Sequence, residues 1–208
     1  MKALIYKDLL AIWKYCRNYL ILCVMFLALS IFMEEYSFFQ MYPVIFMGTL
    51  VNTLIAYDER DSWDRQVLTM PVSRKQYVTG KYLTGVILQG TMVVLSAAAC
   101  ALRLAMGDGF VWEEFRDYLA FLLGLAAAAP SLILPFVFKN GSEKGRMAYL
   151  IVLGGIFAVA VGGTMVLKKL DVLQMQVQIP GALLMVLVPV LYLGSWALSV
   201  HWYEKREF

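Results

Sequence analysis

The chain is poor in charge, and that shortage excludes most soluble architectures. Asp, Glu, Lys and Arg make up 16% of the 208 residues, against about 25% in an ordinary soluble domain. With 61% of residues hydrophobic and a mean hydropathy of +0.69, one water-facing core of this length cannot hide the apolar surface, so a bilayer must take up the excess. A disordered chain is excluded on the same grounds. Cysteine is scarce as well: Cys16, Cys23 and Cys100 are too few, and odd in number, for a disulfide scaffold. Histidine is represented by His201 alone, and no GxxxxGK[ST] phosphate loop occurs. The net charge of +3 is too small to point to nucleic acid.

What is present is a series of apolar runs of spanning length. Six stand out: Tyr19 to Met33, Phe39 to Tyr57, Tyr82 to Leu104, Tyr118 to Phe138, Met147 to Leu167 and Ala182 to Val200. They predict an all-α membrane protein with six transmembrane helices and both termini on one side. The first run is short, and snorkelling of Lys14 and Arg17 would let its helix enter the membrane a turn earlier. The mixed charge of residues 1–18, and the lack of a small-residue cleavage site before Glu34, argue against a cleavable leader. Of the 18 Lys and Arg residues, all but Arg103, Arg116, Lys168 and Lys169 fall in segments that share a side with the termini, which places that side in the cytoplasm. Residues 2–17 interleave Leu4, Leu9, Leu10, Ile12 and Trp13 with Lys2, Lys7, Asp8 and Lys14. That pattern reads as a helix lying in the membrane interface; the alternative is that these are the wet first turns of the first span.

The connection between the second and third spans, residues 58–81, carries the most specific pattern. Trp63, Val67 and Met70 at i, i+4, i+7 form one apolar face, and Asp61 and Arg65 can pair on another, so a short amphipathic helix is expected. Pro71 ends it, and Ser73 with Gln76 makes a capping box for a helix that continues into the third span. A surface helix, a hard corner and a membrane-rooted helix together make a lever. The alternative is an interfacial helix that merely orders the loop.

The stretch Tyr57-Asp58-Glu59-Arg60, the Trp-containing amphipathic segment, Leu68-Thr69-Met70-Pro71-Val72-Ser73-Arg74-Lys75 and Lys81-Tyr82-Leu83 resembles the signature loop of ABC-2-type permeases, with Met70 where Leu is commoner. The N-terminal Met1-Lys2-Ala3-Leu4-Ile5-Tyr6-Lys7-Asp8-Leu9 is similar to the interfacial start of these proteins, and the six-span layout covers the whole length, as in the small single-domain bacterial branch. The resemblance implies one transmembrane permease domain over 1–208, with residues 58–75 as a coupling helix that docks on a separately encoded ATP-binding subunit. The residues it implicates are Glu59, Arg60, Asp61, Trp63, Asp64, Arg65, Val67, Leu68, Pro71, Ser73 and Arg74. Residues 168–180 leave room for only a short form of the family's external hairpin, which implies a reduced external gate.

Chemistry within the chain is sparse. His201 beside Trp202 and Tyr203 reads as interfacial. Glu34-Glu35 resembles the paired glutamates of intramembrane CAAX-type proteases but lacks their Arg and His partners, and Ser195 has no rhomboid-like motif around it. No enzyme activity, metal or cofactor is expected; ATP would be bound by the partner. The spans hold only mild polar groups, and no ionisable residue of the kind that marks ion-coupled transporters. Arg103, at the outer end of the third span, suits snorkelling or a headgroup contact. Asn52, Gln89, Pro130 and Pro135 are candidate pathway or gating residues, the two prolines because they should kink or break the fourth span. In the fifth span Gly154, Ala158 and Gly162 make a small-residue stripe that suits close packing, within the subunit or across a dimer.

The function expected is the membrane subunit of an ATP-driven exporter in the cell membrane, acting as a dimer or with a sister permease and two ATPase copies. The apolar interior points to an amphipathic or hydrophobic cargo, a peptide toxin or antibiotic first and a lipid-linked molecule second. A non-transporting scaffold or immunity protein that recruits a cytoplasmic partner through the same loop is the rival reading.

Overall fold

Backbone polar groups in a bilayer must be paired within the segment that carries them, and the helix is the element that does so. The computed structural model describes residues 2–33, 36–106, 112–145, 147, 150–151 and 181–206. Among these residues there is no strand, and the elements are α1 (Lys2–Tyr15), α2 (Arg17–Phe32), α3 (Tyr36–Arg60), α4 (Trp63–Thr69), α5 (Arg74–Met106), α6 (Trp112–Asn140) and α7 (Gly181–Glu204). The stretches Phe38–Arg60, Arg74–Met106 and Phe115–Asn140 are long and apolar enough to cross a membrane, and α1 with α2 adds a fourth if that bent pair is one span. α7 contains the sixth expected run over 24 residues. The fifth span with its small-residue stripe, the hairpin at 168–180 and Glu34-Glu35 lie outside the described residues.

Three expectations change. The first span does not reach back through Arg17 and Lys14 as a straight helix, because α1 and α2 meet at 77°. The bend occurs at Cys16, whose φ of −114° and ψ of 10° leave the helical region while its amide still donates to Ile12 O and its carbonyl accepts from Tyr19 and Leu20. Of the kink or break expected at Pro130 and Pro135, the break does not occur: α6 runs unbroken through both, and both are buried. Arg103 finds partners within the protein, its guanidinium donating to the carbonyls of Ser30, Ile31 and Met33 and so closing the C-terminal end of α2.

α6 and α7 make the most extensive helix contact, and α3 packs between α2, α5 and α6. The core runs along α3 and α5 through Val44, Met47, Val51, Leu54, Val78, Tyr82 and Met92, and is met by Leu122, Leu134 and Phe138 of α6. At Gly48 these helices come so close that a Cβ would lie 2.8 Å from Gln89 Nε2 and 2.9 Å from Ala129 Cβ. Only glycine fits there without displacing a neighbour.

A charged elbow as the candidate coupling site

α3 ends in a sharp reversal. Asp61 donates its amide to Tyr57 O, Ser62 donates to Glu59 O, and Ser62 takes a left-handed conformation, φ 55° and ψ 26°, that starts α4. For a non-glycine residue this conformation costs about 1–2 kcal/mol, so the surrounding contacts must hold the turn. Asp61 therefore precedes α4 instead of sharing a helical face with Arg65, and Met70 follows it. The apolar face narrows to Trp63 and Val67, with Val67 fully buried. At the other end Met70 is extended before Pro71, as a residue preceding proline must be. The capping box then forms as the sequence indicates: Ser73 N donates to Gln76 Oε1 at 3.0 Å and Gln76 N to Ser73 Oγ at 3.2 Å. α5 runs from this cap without interruption for 33 residues, which roots the corner in the bundle.

What fixes the elbow from within is a group of four charges that sequence reasoning did not assemble. Lys81 is buried on α5, and its Nζ bridges Asp8 Oδ1 of α1 at 2.8 Å and Asp58 Oδ2 of α3 at 2.6 Å. Lys7 bridges the same two carboxylates from the rim, at 3.2 Å and 2.7 Å. Tyr77 donates to Asp58 and Thr84 to Asp8, so the carboxylate oxygens have further donors. Two acids and two bases balance, as a buried ionic group must. Lys7 Nζ also lies 4.7 Å from the centre of the Trp63 ring, which ties α4 to α1 by a cation–π contact. One cluster thus joins the N-terminal helix, the elbow and the long helix. Taken singly in the sequence, Lys7 and Lys81 are topology-setting cations and Asp58 is part of a motif; the spacing signal, Lys7-Asp8 on one helix and Asp58 and Lys81 flanking a corner, has meaning only once the corner is folded.

Two further contacts tie the elbow to the rest of the same end. Glu59 accepts from the backbone amide of Ser142 at 2.7 Å and from the Arg206 guanidinium at 3.3 Å. Gly141, with φ +86°, makes the turn that brings this amide to the carboxylate. Arg74 donates to the carbonyls of Glu204 at 2.7 Å and Arg206 at 2.9 Å, closing the C-terminal end of α7. An open polar cleft of about 350 Å³ beside the elbow is lined by Glu59, Arg60, Gly141, Ser142, Lys144 and Arg206 among others. The N-terminal helix, residues 58–81, the turn after α6 and the tail all meet at one end of the bundle.

The residues implicated from sequence therefore divide by direction. Glu59, Trp63, Val67 and Arg74 face inward and hold the elbow, whereas Arg60, Asp61, Pro71 and Ser73 are exposed. The side chains of Asp64, Arg65 and Leu68 lie outside the described residues. Of the pathway candidates, Asn52 and Gln89 are both 5% exposed, and Asn52 Oδ1 and Gln89 Nε2 have no hydrogen-bond partner. Gln89 and Pro130 share the Gly48 junction, with Pro130 Cδ 3.6 Å from the position of a Cβ there. Pro135 lies on α6 beyond it. Ser195 has no nucleophile's setting, its hydroxyl bonding Tyr82 OH at 2.7 Å and the Ser131 carbonyl at 2.8 Å. Among the described residues no cluster of His, Cys, Asp and Glu could hold a metal ion.

A family model described as ABC-2 family transporter protein matches residues 3–204. No curated protein and no solved structure matches the chain.

Proposed function

We propose that this chain, which belongs to the ABC-2 transporter family, is the permease subunit of an ATP-driven exporter and that α4 is its coupling helix. Membership makes it a multi-pass membrane component of an ABC transporter and implies pairing with a separate ATP-binding subunit. Export, a dimeric permease with two ATPase copies, a cytoplasmic placement of both termini and an amphipathic or hydrophobic cargo are the finer parts of the proposal. The observation that carries it is the two-sidedness of the elbow. Trp63 and Val67 are turned inward toward the charge cluster on α5 and α1, while Asp61, Gln66, Thr69 and Met70 are exposed. A subunit gripping the outer side would push on α5, whose cap leaves little slack at Pro71, and on α1 through Lys7. The 77° bend between α1 and α2 supports an interfacial placement of α1.

The test is co-purification of the chain with ATP-binding subunits encoded beside it, comparing wild type with an Asp61→Lys/Asp64→Lys variant. Loss of both assembly and cargo-stimulated ATP turnover is expected in the variant. Wild-type assembly and turnover in the variant would refute the coupling role of α4, and assembly that never stimulates turnover would favour the scaffold reading.

A further inference from the structure

The two sides of α1 are chemically unlike. Leu4, Asp8, Ile12 and the following Cys16 turn inward, at four-residue spacing. Lys2, Tyr6, Leu10, Trp13 and Arg17 follow one another at three- and four-residue spacing on the outer side, and all are exposed, Trp13 by 70%. Lys7 and Asp8 are the paired charges of this region. The remaining charged residues of α1 and the first turn of α2 are Lys2, Lys14 and Arg17, all cationic, and none is in an ion pair among the described residues.

Between α1 and α2 the 77° angle encloses a groove of about 370 Å³ lined by Trp13, Arg17, Leu20, Ile21 and Val24. Its lining combines the Arg17 guanidinium, the amphipathic Trp13 ring and the aliphatic side chains of Leu20, Ile21 and Val24 along α2, and Lys14 follows Trp13 in the chain. Those are the parts of a phospholipid in order: phosphate, interface, acyl chain. Arginine forks onto phosphate oxygens, and tryptophan favours headgroup depth. Lys2, Lys14 and Arg17 have no anionic partner among the described residues, and an anionic lipid neutralises them.

We propose that this groove binds one anionic phospholipid, its phosphate held by Arg17 with Lys14 and one acyl chain laid along Leu20, Ile21 and Val24. The site requires the chain to be in a bilayer and does not depend on the exporter reading. Because the inner side of α1 carries Lys7 and Asp8, the lipid holds from outside the same helix that the charge cluster holds from within.

The test places the full chain in phosphatidylcholine nanodiscs containing a minor fraction of acyl-brominated phosphatidylglycerol or, in parallel, of acyl-brominated phosphatidylcholine. Tryptophan quenching is read, and the Trp13 component among the 5 tryptophans is isolated by difference from Trp13→Phe. Brominated phosphatidylglycerol should quench that component at lower mole fraction, with a preference on the order of fivefold per cation. Lys14→Gln/Arg17→Gln should remove the preference, and Lys139→Gln/Lys205→Gln, which deletes exposed cations elsewhere, should keep it. Equal quenching of Trp13 by the two lipids overturns the proposal, since the groove would then be wetted without headgroup recognition. So does absence of quenching by either lipid, in which case cross-linking between copies through Ile21→Cys would identify a second copy as the cover.

Discussion

Replacing Lys81 by Met is the sharpest perturbation of the elbow, because it keeps most of the side-chain length and removes only the charge. The Lys81 side chain is 2% exposed and lies within 2.8 Å of both Asp8 and Asp58, whose side chains are 3% and 11% exposed. After the substitution two carboxylates face one cation. Breaking a buried pair in this way costs about 3–5 kcal/mol. Lys7 already reaches both acids and is 29% exposed, so it relieves part of the repulsion, and the expected loss sits near the lower bound, about 3 kcal/mol. For a chain of this size that corresponds to an apparent melting point lower by about 6–12 °C. A thiol-reactive dye supplies the assay, since Cys16, Cys23 and Cys100 are free and buried and react only when the bundle opens. Adding Asp8→Asn restores a one-to-one pairing of Lys7 with Asp58, so Lys81→Met/Asp8→Asn should melt above Lys81→Met alone. If Lys81→Met melts within about 1 °C of wild type, a shift worth well under 1 kcal/mol, or if the second substitution only lowers the melting point further, the cluster is not what fixes the elbow.

Two other substitutions test neighbouring contacts. Gly48→Ala should lower thermal stability by about 1–3 kcal/mol through overpacking, and Gln89→Ala in the same chain should recover part of it, because the amide is the nearest atom to the new methyl group; both are read in the same dye melt. Arg74→Lys keeps the charge but not the fork that reaches the carbonyls of Glu204 and Arg206, so hydrogen exchange at residues 201–206 should quicken in that variant while exchange in the middle of α5 stays unchanged.

Much of the architecture is legible in local sequence. The start of α5 is written in Ser73 and Gln76, and both halves of that box form. Pro71 marks the corner, and Trp63 and Val67 give α4 its face. What was not legible depends on partners far apart in the chain. Lys81 reads as one more cation near the end of a span until α1 brings Asp8 to it across 73 positions. Arg103 reads as a residue reaching for headgroups until the last turn of α2 offers its carbonyls. The bend at Cys16 has no Pro or Gly to announce it, and the two prolines of α6 announce a kink or break, of which the helix, packed on α3 and α7, does not make the break.

The distribution of satisfied and unsatisfied polar atoms adds a reason for this arrangement. At one end of the bundle the four charges, Glu59 and Arg74 are all engaged. Toward the other, Tyr118 donates to Gln40 at 2.6 Å, Gln40 to Ser30 at 3.3 Å, and Arg103 closes α2. Between them Asn52 Oδ1, Gln89 Nε2, Ser96 Oγ and Ser131 Oγ, on α3, α5 and α6, are buried without a partner. Trp63 Nε1 at the elbow is also without a partner, and each unpaired buried donor or acceptor costs about 1–3 kcal/mol, so four of these costs fall in the middle, where no charged group offsets them. Displacing α5 against α3 at the elbow would break the Lys81–Asp58 pair, while small shifts near Gly48 forfeit no hydrogen bond of Asn52 Oδ1 or Gln89 Nε2. On the coupling proposal, a force applied at the elbow would be carried along α5 to the region around Gly48, where Asn52 Oδ1 and Gln89 Nε2 have no hydrogen bond to lose.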